Sequence, residues 1–165
     1  MQVDIFYAVF ISLKVSISAT FLALFFSLIL GSILAIKNFI TKDLLITTIN
    51  SLTAIPPVCA GLICYLIISK NGPFGWIGLL YSPTAMIIAQ FIIITPIMTS
   101  LITKNLQQDY PSTAEELNSY GASFIDIIKL LILNKYKIYI NITLIGFGRA
   151  VSEYGAAAIV GGSID

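Results

Sequence analysis

Val15-Ser16-Ile17-Ser18-Ala19-Thr20-Phe21-Leu22-Ala23-Leu24-Phe25-Phe26-Ser27-Leu28-Ile29-Leu30-Gly31-Ser32-Ile33-Leu34-Ala35-Ile36 is 22 residues without a charge. A helix crosses ~30 Å of hydrocarbon with about 20 apolar residues, each rising ~1.5 Å. Two more charge-free runs follow, Leu44 to Ser69 and Asn71 to Thr103, and Ile138 to Gly162 is apolar except for Arg149 and Glu153. The whole chain is 58% hydrophobic and 10% charged, where a soluble domain is about a quarter charged. These runs predict an all-α integral membrane protein with about four transmembrane helices, at 12–36, 44–69, 84–103 and 138–162. One transmembrane domain occupies 1–165, and the first span is too long and lacks the basic start of a cleavable signal.

Charge outside the spans is concentrated in residues 104–137, which hold four of the nine cations and four of the eight acids. The 37–43 loop has two lysines, and the loop between spans two and three has only Lys70. Positive loops stay cytoplasmic. This places 37–43 and 104–137 inside, and both chain ends and the second loop outside, in a multi-pass cell-membrane protein. Pro73, Phe74, Trp76, Tyr81 and Pro83 suit an interfacial turn with aromatics at headgroup level.

Within the polar loop, Ser112 and Glu115 have the spacing of a capping box, and Pro111 is expected to stop any helix from upstream. A short helix over about 113–120 would end at Gly121, a residue suited to a left-handed backbone. Ser123 and Asp126 repeat the arrangement and start a second helix to about Leu133, with Phe124, Ile127, Ile128 and Leu131 at helical spacing. The expectation is a cytoplasmic helix–glycine–helix knob.

Glu115-Glu116-Leu117, then Gly121, then Leu131 and Leu133 resemble the EAA loop of ABC-transporter permeases. Glu115 and Gly121 match that pattern in identity and in their spacing of six. Glu116 and Leu117 replace its two alanines, and Asn134 stands where it has a proline. The resemblance implies an incomplete type I importer permease fold, in which Glu115, Glu116, Leu117 and Gly121 couple to an ABC ATPase subunit.

Arg149 and Glu153 are one helical turn apart and can pair on one face. Unpaired, each would cost about 2.5–3.5 kcal/mol within a span. Two readings stand side by side. The pair locks helix packing, aided by Gly146, Gly148 and Gly155, or it is a pathway or gate element. The run Arg149-Ala150-Val151-Ser152-Glu153-Tyr154-Gly155-Ala156, with Val160-Gly161-Gly162 after it, resembles the tungstate and molybdate branch of the permeases. So do Ser12-Leu13-Lys14-Val15-Ser16, Ile55-Pro56-Pro57-Val58 and Tyr81-Ser82-Pro83-Thr84-Ala85. Arg149, Ser152, Glu153, Thr53 and Gln90 are therefore candidates for a translocation pathway. Hydroxyls and amides such as Thr53 and Gln90 can replace part of an oxyanion's hydration, or simply bridge helices. Pro56, Pro57 and Pro96 are expected to kink spans two and three.

No histidine is present, which removes the commonest metal ligand and general base, and no catalytic or metal site is expected. Cys59 and Cys64, five apart in one span, read as small core residues rather than a redox pair. No glycine-rich loop ending in Lys-Ser or Lys-Thr binds ATP, so the chain is expected to hold no cofactor and to rely on ATP used by a partner. No basic block suggests nucleic acid. The expected function is the permease subunit of an ABC importer for tungstate, with molybdate, sulfate or another solute as alternatives. Expected partners are a second permease copy in a homodimer, an extracytoplasmic oxyanion-binding protein and membrane lipid. A gradient-driven secondary transporter and a non-transporting scaffold are the rivals from other classes. The family carries a further loop and span beyond the equivalent of Asp165, so a C-terminally truncated product is also expected.

Overall fold

The computed structural model describes residues 5–153 and Val160. Six α-helices follow in order: α1 (Ile5–Ile36), α2 (Lys42–Leu52), α3 (Pro57–Ile68), α4 (Pro83–Asn118), α5 (Phe124–Asn134) and α6 (Tyr136–Ser152). A 3-10 turn at Gly75–Ile77 lies between α3 and α4. Among the described residues two helices are long and apolar enough to cross a membrane, and counting each of two bent pairs as one span makes four. This agrees with the all-α class.

The α1–α4 pair is the frame. Along α1, Ala19, Ala23, Ser27, Gly31 and Ala35 recur every four residues, and among them Ala19, Ala23, Ser27 and Ala35 are buried. Opposite them α4 buries Ile94, Met98, Ile102 and Leu106, again every four. Side chains four apart share a helix face, so a small stripe meets a large one and the backbones come close. A Cβ added at Gly31 would lie 2.7 Å from the Ile102 side chain. Ser27 Oγ donates to the Thr95 carbonyl at 3.1 Å and accepts from Thr99 Oγ1 at 3.0 Å. Polar groups inside the interface thus partner one another.

The second expected span is not one helix. α2 and α3 meet at 104°. Pro56 takes φ −59° and ψ 134°, the extended backbone that a following proline favours. Neither Pro56 nor Pro57 offers an N–H, so α2 ends in tight turns, Thr53 N–H to Asn50 and Ile55 N–H to Leu52. Pro57 then starts α3 at the first helical position. Tandem prolines give a break, where the sequence reading expected a kink. Each half, 11 and 12 residues, is too short to cross alone.

The third element corrects a second expectation. α4 runs unbroken from Pro83 to Asn118, through both Pro96 and Pro111. The separate helix at 113–120 is the last two turns of α4. Ser112 caps nothing: its hydroxyl donates back to the Asp109 carbonyl at 3.2 Å. Leu106 and Ala114 are buried, and Tyr110 and Leu117 pack on the same core. That stripe runs in helical phase across Pro111, and its burial offsets the hydrogen bond the proline removes.

α5 meets α6 at 79°. α6 begins at Tyr136, close to the expected span start, and ends at Ser152; of the rest of that span only Glu153 and Val160 are described. Gly146 packs against Met98, whose sulfur would lie 2.6 Å from an added Cβ. Gly148, expected to do the same, faces open space, and Gly155 lies outside the described residues. Cys64 is buried as expected, whereas Cys59 is exposed.

Gly31→Leu should push α1 off α4 at the cost of about 1–3 kcal/mol, as overpacked interfaces do. Thermal unfolding in detergent should show a lower midpoint than for Gly148→Leu, and equal midpoints would contradict the packing described.

Candidate functional site

The expected cytoplasmic loop is built by the end of α4, a turn at Gly121, and α5. Gly121 has φ +75°, and the Ala122 N–H reaches back to the Leu117 carbonyl at 3.2 Å, closing the end of α4. Glu115 and Glu116 are exposed on the last turns of α4, Gly121 is exposed, and Leu117 is half-buried against the core. Leu117 therefore anchors the turn while the two glutamates remain accessible. The second capping box forms as expected. Ser123 N–H donates to Asp126 Oδ2 at 3.1 Å and Asp126 N–H to Ser123 Oγ at 3.4 Å. Ile127 and Leu131 bury the inner face of α5.

One interaction here had no local signal. Asp109, on α4, forms an ion pair with Lys135 at the α5–α6 junction. The partners are 26 positions apart, so only the folded turn brings them together. Their pairing ties the end of α4 to the point where α6 starts.

In α6 the expected pair is present: Arg149 Nε lies 3.0 Å from Glu153 Oε1. Nε makes no aligned hydrogen bond, so the contact is chiefly electrostatic. Ser152 hydrogen-bonds back to the Arg149 carbonyl at 2.9 Å and stays exposed. The Arg149 side chain also lines a cavity of about 70 Å³. Its other walls include Thr53 and Ile55 from the α2–α3 break, and Ile92, Pro96 and Ile97 from α4. The structure thus brings Arg149, Thr53 and Pro96 to one place. Pro57 is on the α3 side of the same break. Gln90 lies elsewhere, buried between α4 and α6, with its Nε2 donating to the Ala150 carbonyl at 3.0 Å. Of the two readings of Gln90, helix bridging is the one its position fits.

An apolar cavity with one guanidinium and one hydroxyl can attract an anion while offering few groups to hold it. No family model matches the chain. The tungstate uptake system permease protein TupB of Peptoclostridium acidaminophilum is 38% identical over 163 residues, 98% of this chain and 71% of that protein. A probable anion ABC transporter permease protein of Haloferax volcanii is 30% identical, over 93% of this chain and 66% of that protein. The chain belongs to the anion ABC-transporter permease family. The sulfate transport system permease protein CysW of Escherichia coli is 24% identical over 98% of the permease described here, which spans 58% of it. The permease therefore covers between 58% and 71% of the length of these curated relatives. It is a multi-pass membrane protein and a transport component, as expected.

The knob also responds to acid. Hydrogen bonds from the Ser123 hydroxyl and then its backbone N–H hold the Asp126 carboxyl below its ordinary 3.8, with help from Lys129. A depressed carboxyl stabilises the fold above its unfolded value, and the contribution is lost as pH falls through the lower folded value. Protection factors of the amides over 123–127, exchange rates corrected for their intrinsic pH dependence, should therefore fall only below about pH 4 in the permease. In Ser123→Ala they should be low at neutral pH as well; identical profiles would rule out the cap as the cause.

Proposed function

We propose that this permease is the membrane-spanning subunit of an ATP-driven importer of an oxyanion, tungstate first. It works as a homodimer with two ABC ATPase subunits and an extracytoplasmic binding protein. The observation that carries the reading is the 38% identity to a tungstate uptake permease along 98% of the chain. Molybdate and sulfate are the alternatives, supported by weaker likeness to a molybdenum and a sulfate permease. The lysine bias of the loops supports a cytoplasmic 104–137 segment and an external N-terminus.

In this reading the ATPase contacts Glu115 and Glu116 and the Gly121 turn. ATP-driven closure moves the α4–α5 knob, and the Asp109–Lys135 pair passes the movement to the start of α6. Arg149 and Glu153 lie further along α6. Movement of α6 past the α2–α3 break alters the cavity that Arg149 lines, switching access between the two sides. Glu153 partly neutralises Arg149, so a dianion passing it meets attraction without a receptor's grip. High-affinity capture belongs to the binding protein, and the energy comes from ATP bound by the partner subunit.

Gly121→Val tests the coupling. An added Cβ has open space at Gly121 but a forbidding φ, so the cost is conformational, about 1–2 kcal/mol. In proteoliposomes containing the whole importer, the variant should keep tungstate binding by the external protein but lose most uptake per ATP hydrolysed. Normal coupled uptake in Gly121→Val would remove the coupling role. Arg149→Gln should lower tungstate uptake far more than it lowers the unfolding midpoint, and matched losses would leave Arg149 a packing residue only.

A further inference from the structure

A second cavity, about 150 Å³, lies in the groove between α2 and α4. Its polar lining is Asn50 from α2 with Ser100, Thr103, Lys104 and Gln107 from α4; Leu34 of α1 and Ile46 and Ile49 of α2 supply apolar wall. Ser100, Lys104 and Gln107 are spaced four and three apart, so they share one face of α4. Ser100 Oγ donates to Asn50 Oδ1 at 2.6 Å. This commits the amide oxygen and leaves the amide hydrogens of Asn50 for another acceptor. Among the described residues the ion pairs are Asp109–Lys135 and Arg149–Glu153, so Lys104 is in neither. No carboxylate lines the cavity. The site thus offers an ammonium and two carboxamides, with room for several waters, and a tetrahedral oxyanion has only five heavy atoms.

Its position gives these groups a use. The smaller cavity, which Arg149 lines, is walled on α4 by Ile92, Ile93, Pro96 and Ile97; this one is walled by Ser100, Thr103, Lys104 and Gln107. The two sets are centred about nine residues apart, roughly 13 Å along one helix. On the other wall, Asn50 serves one cavity and Thr53, three residues on, serves the other. Two cavities, each with one basic residue, therefore lie in series along a single α2–α4 groove. α2, the movable wall, buries no residue and ends at the α2–α3 break.

We infer that the α2–α4 groove holds a second oxyanion station, formed by Lys104, the Asn50 amide and Gln107, inward of Arg149. This rests on the importer reading above. It differs from the Arg149 cavity in having a full, unneutralised charge and at least two amide donors. It is therefore the stronger of the two attractions for an anion leaving Arg149, and it lies toward the 104–137 loop. An outward swing of α2 separates Asn50 from Lys104 and so weakens the hold on the anion.

The test is protection of a cysteine on the wall of the cavity. Ile46→Cys, at a wall residue outside the three ligands, in a Cys59→Ser, Cys64→Ser background of the assembled importer, is labelled with a charged methanethiosulfonate reagent. Labelling is timed in sodium tungstate and in sodium chloride of equal ionic strength. Tungstate should slow labelling several-fold where chloride does not, and the slowing should vanish in Lys104→Met and survive in Lys104→Arg. Equal rates in the two salts, or protection undiminished by Lys104→Met, would overturn the station. The comparison in the Lys104 parent decides the matter even if Lys104→Met fails to assemble. Tungstate uptake by the same vesicles is measured in parallel. Uptake without protection counts against this site alone, and protection without uptake counts against the importer reading.

Discussion

The close approach of α1 to α4 is the constraint on which the rest depends. In lipid there is no water to expel from between helices, so association relies on contact and on internal hydrogen bonds. The alternation of small side chains on α1 with large ones on α4 supplies the contact, and Ser27, Thr95 and Thr99 supply the bonds. Everything functional is then hung on α4: α2 lies along its groove, α6 crosses near Met98, and α5 folds back beneath its end. Without a continuous, well-seated α4 the Arg149 and Lys104 cavities would share no wall.

Prolines illustrate how context decides between continuity and rupture. Pro111 and Pro96 each sit within a helix that is held on both sides by buried side chains, and the helix persists. Pro56 and Pro57 stand together where α2 buries nothing, so no packing resists the extended backbone that the second proline asks of the first. The break leaves a recess in the bundle, and Arg149 points into it.

Much of this was legible in the chain. Charge-free runs marked the apolar stretches of α1 and α4, Ser123 and Asp126 marked the start of α5, Gly121 marked the turn, and the i,i+4 spacing marked the Arg149–Glu153 pair. These are local signals, decided by neighbours within a turn or two. The continuity of α4 across Pro111 was not legible, because it depends on what Leu106, Tyr110, Ala114 and Leu117 touch. The Asp109–Lys135 pair and both cavities join segments distant in sequence. The small-residue stripe of α1 repeats every four residues but was not picked out from the sequence, and nothing local names its partner face on α4.

The unbroken length of α4 has a mechanical consequence. At ~1.5 Å per residue its 36 residues extend roughly 54 Å, well beyond the ~30 Å of a hydrocarbon core. Gly31 of α1 seats against it at Ile102, which can serve as a fulcrum. Glu115 lies thirteen residues to one side of that fulcrum and Gln90 twelve to the other, about 20 and 18 Å along the axis. A rigid tilt of α4 about Ile102 would throw its two ends in opposite directions by nearly equal amounts, and would shift Gln90, which bonds to the far end of α6, opposite to Glu115.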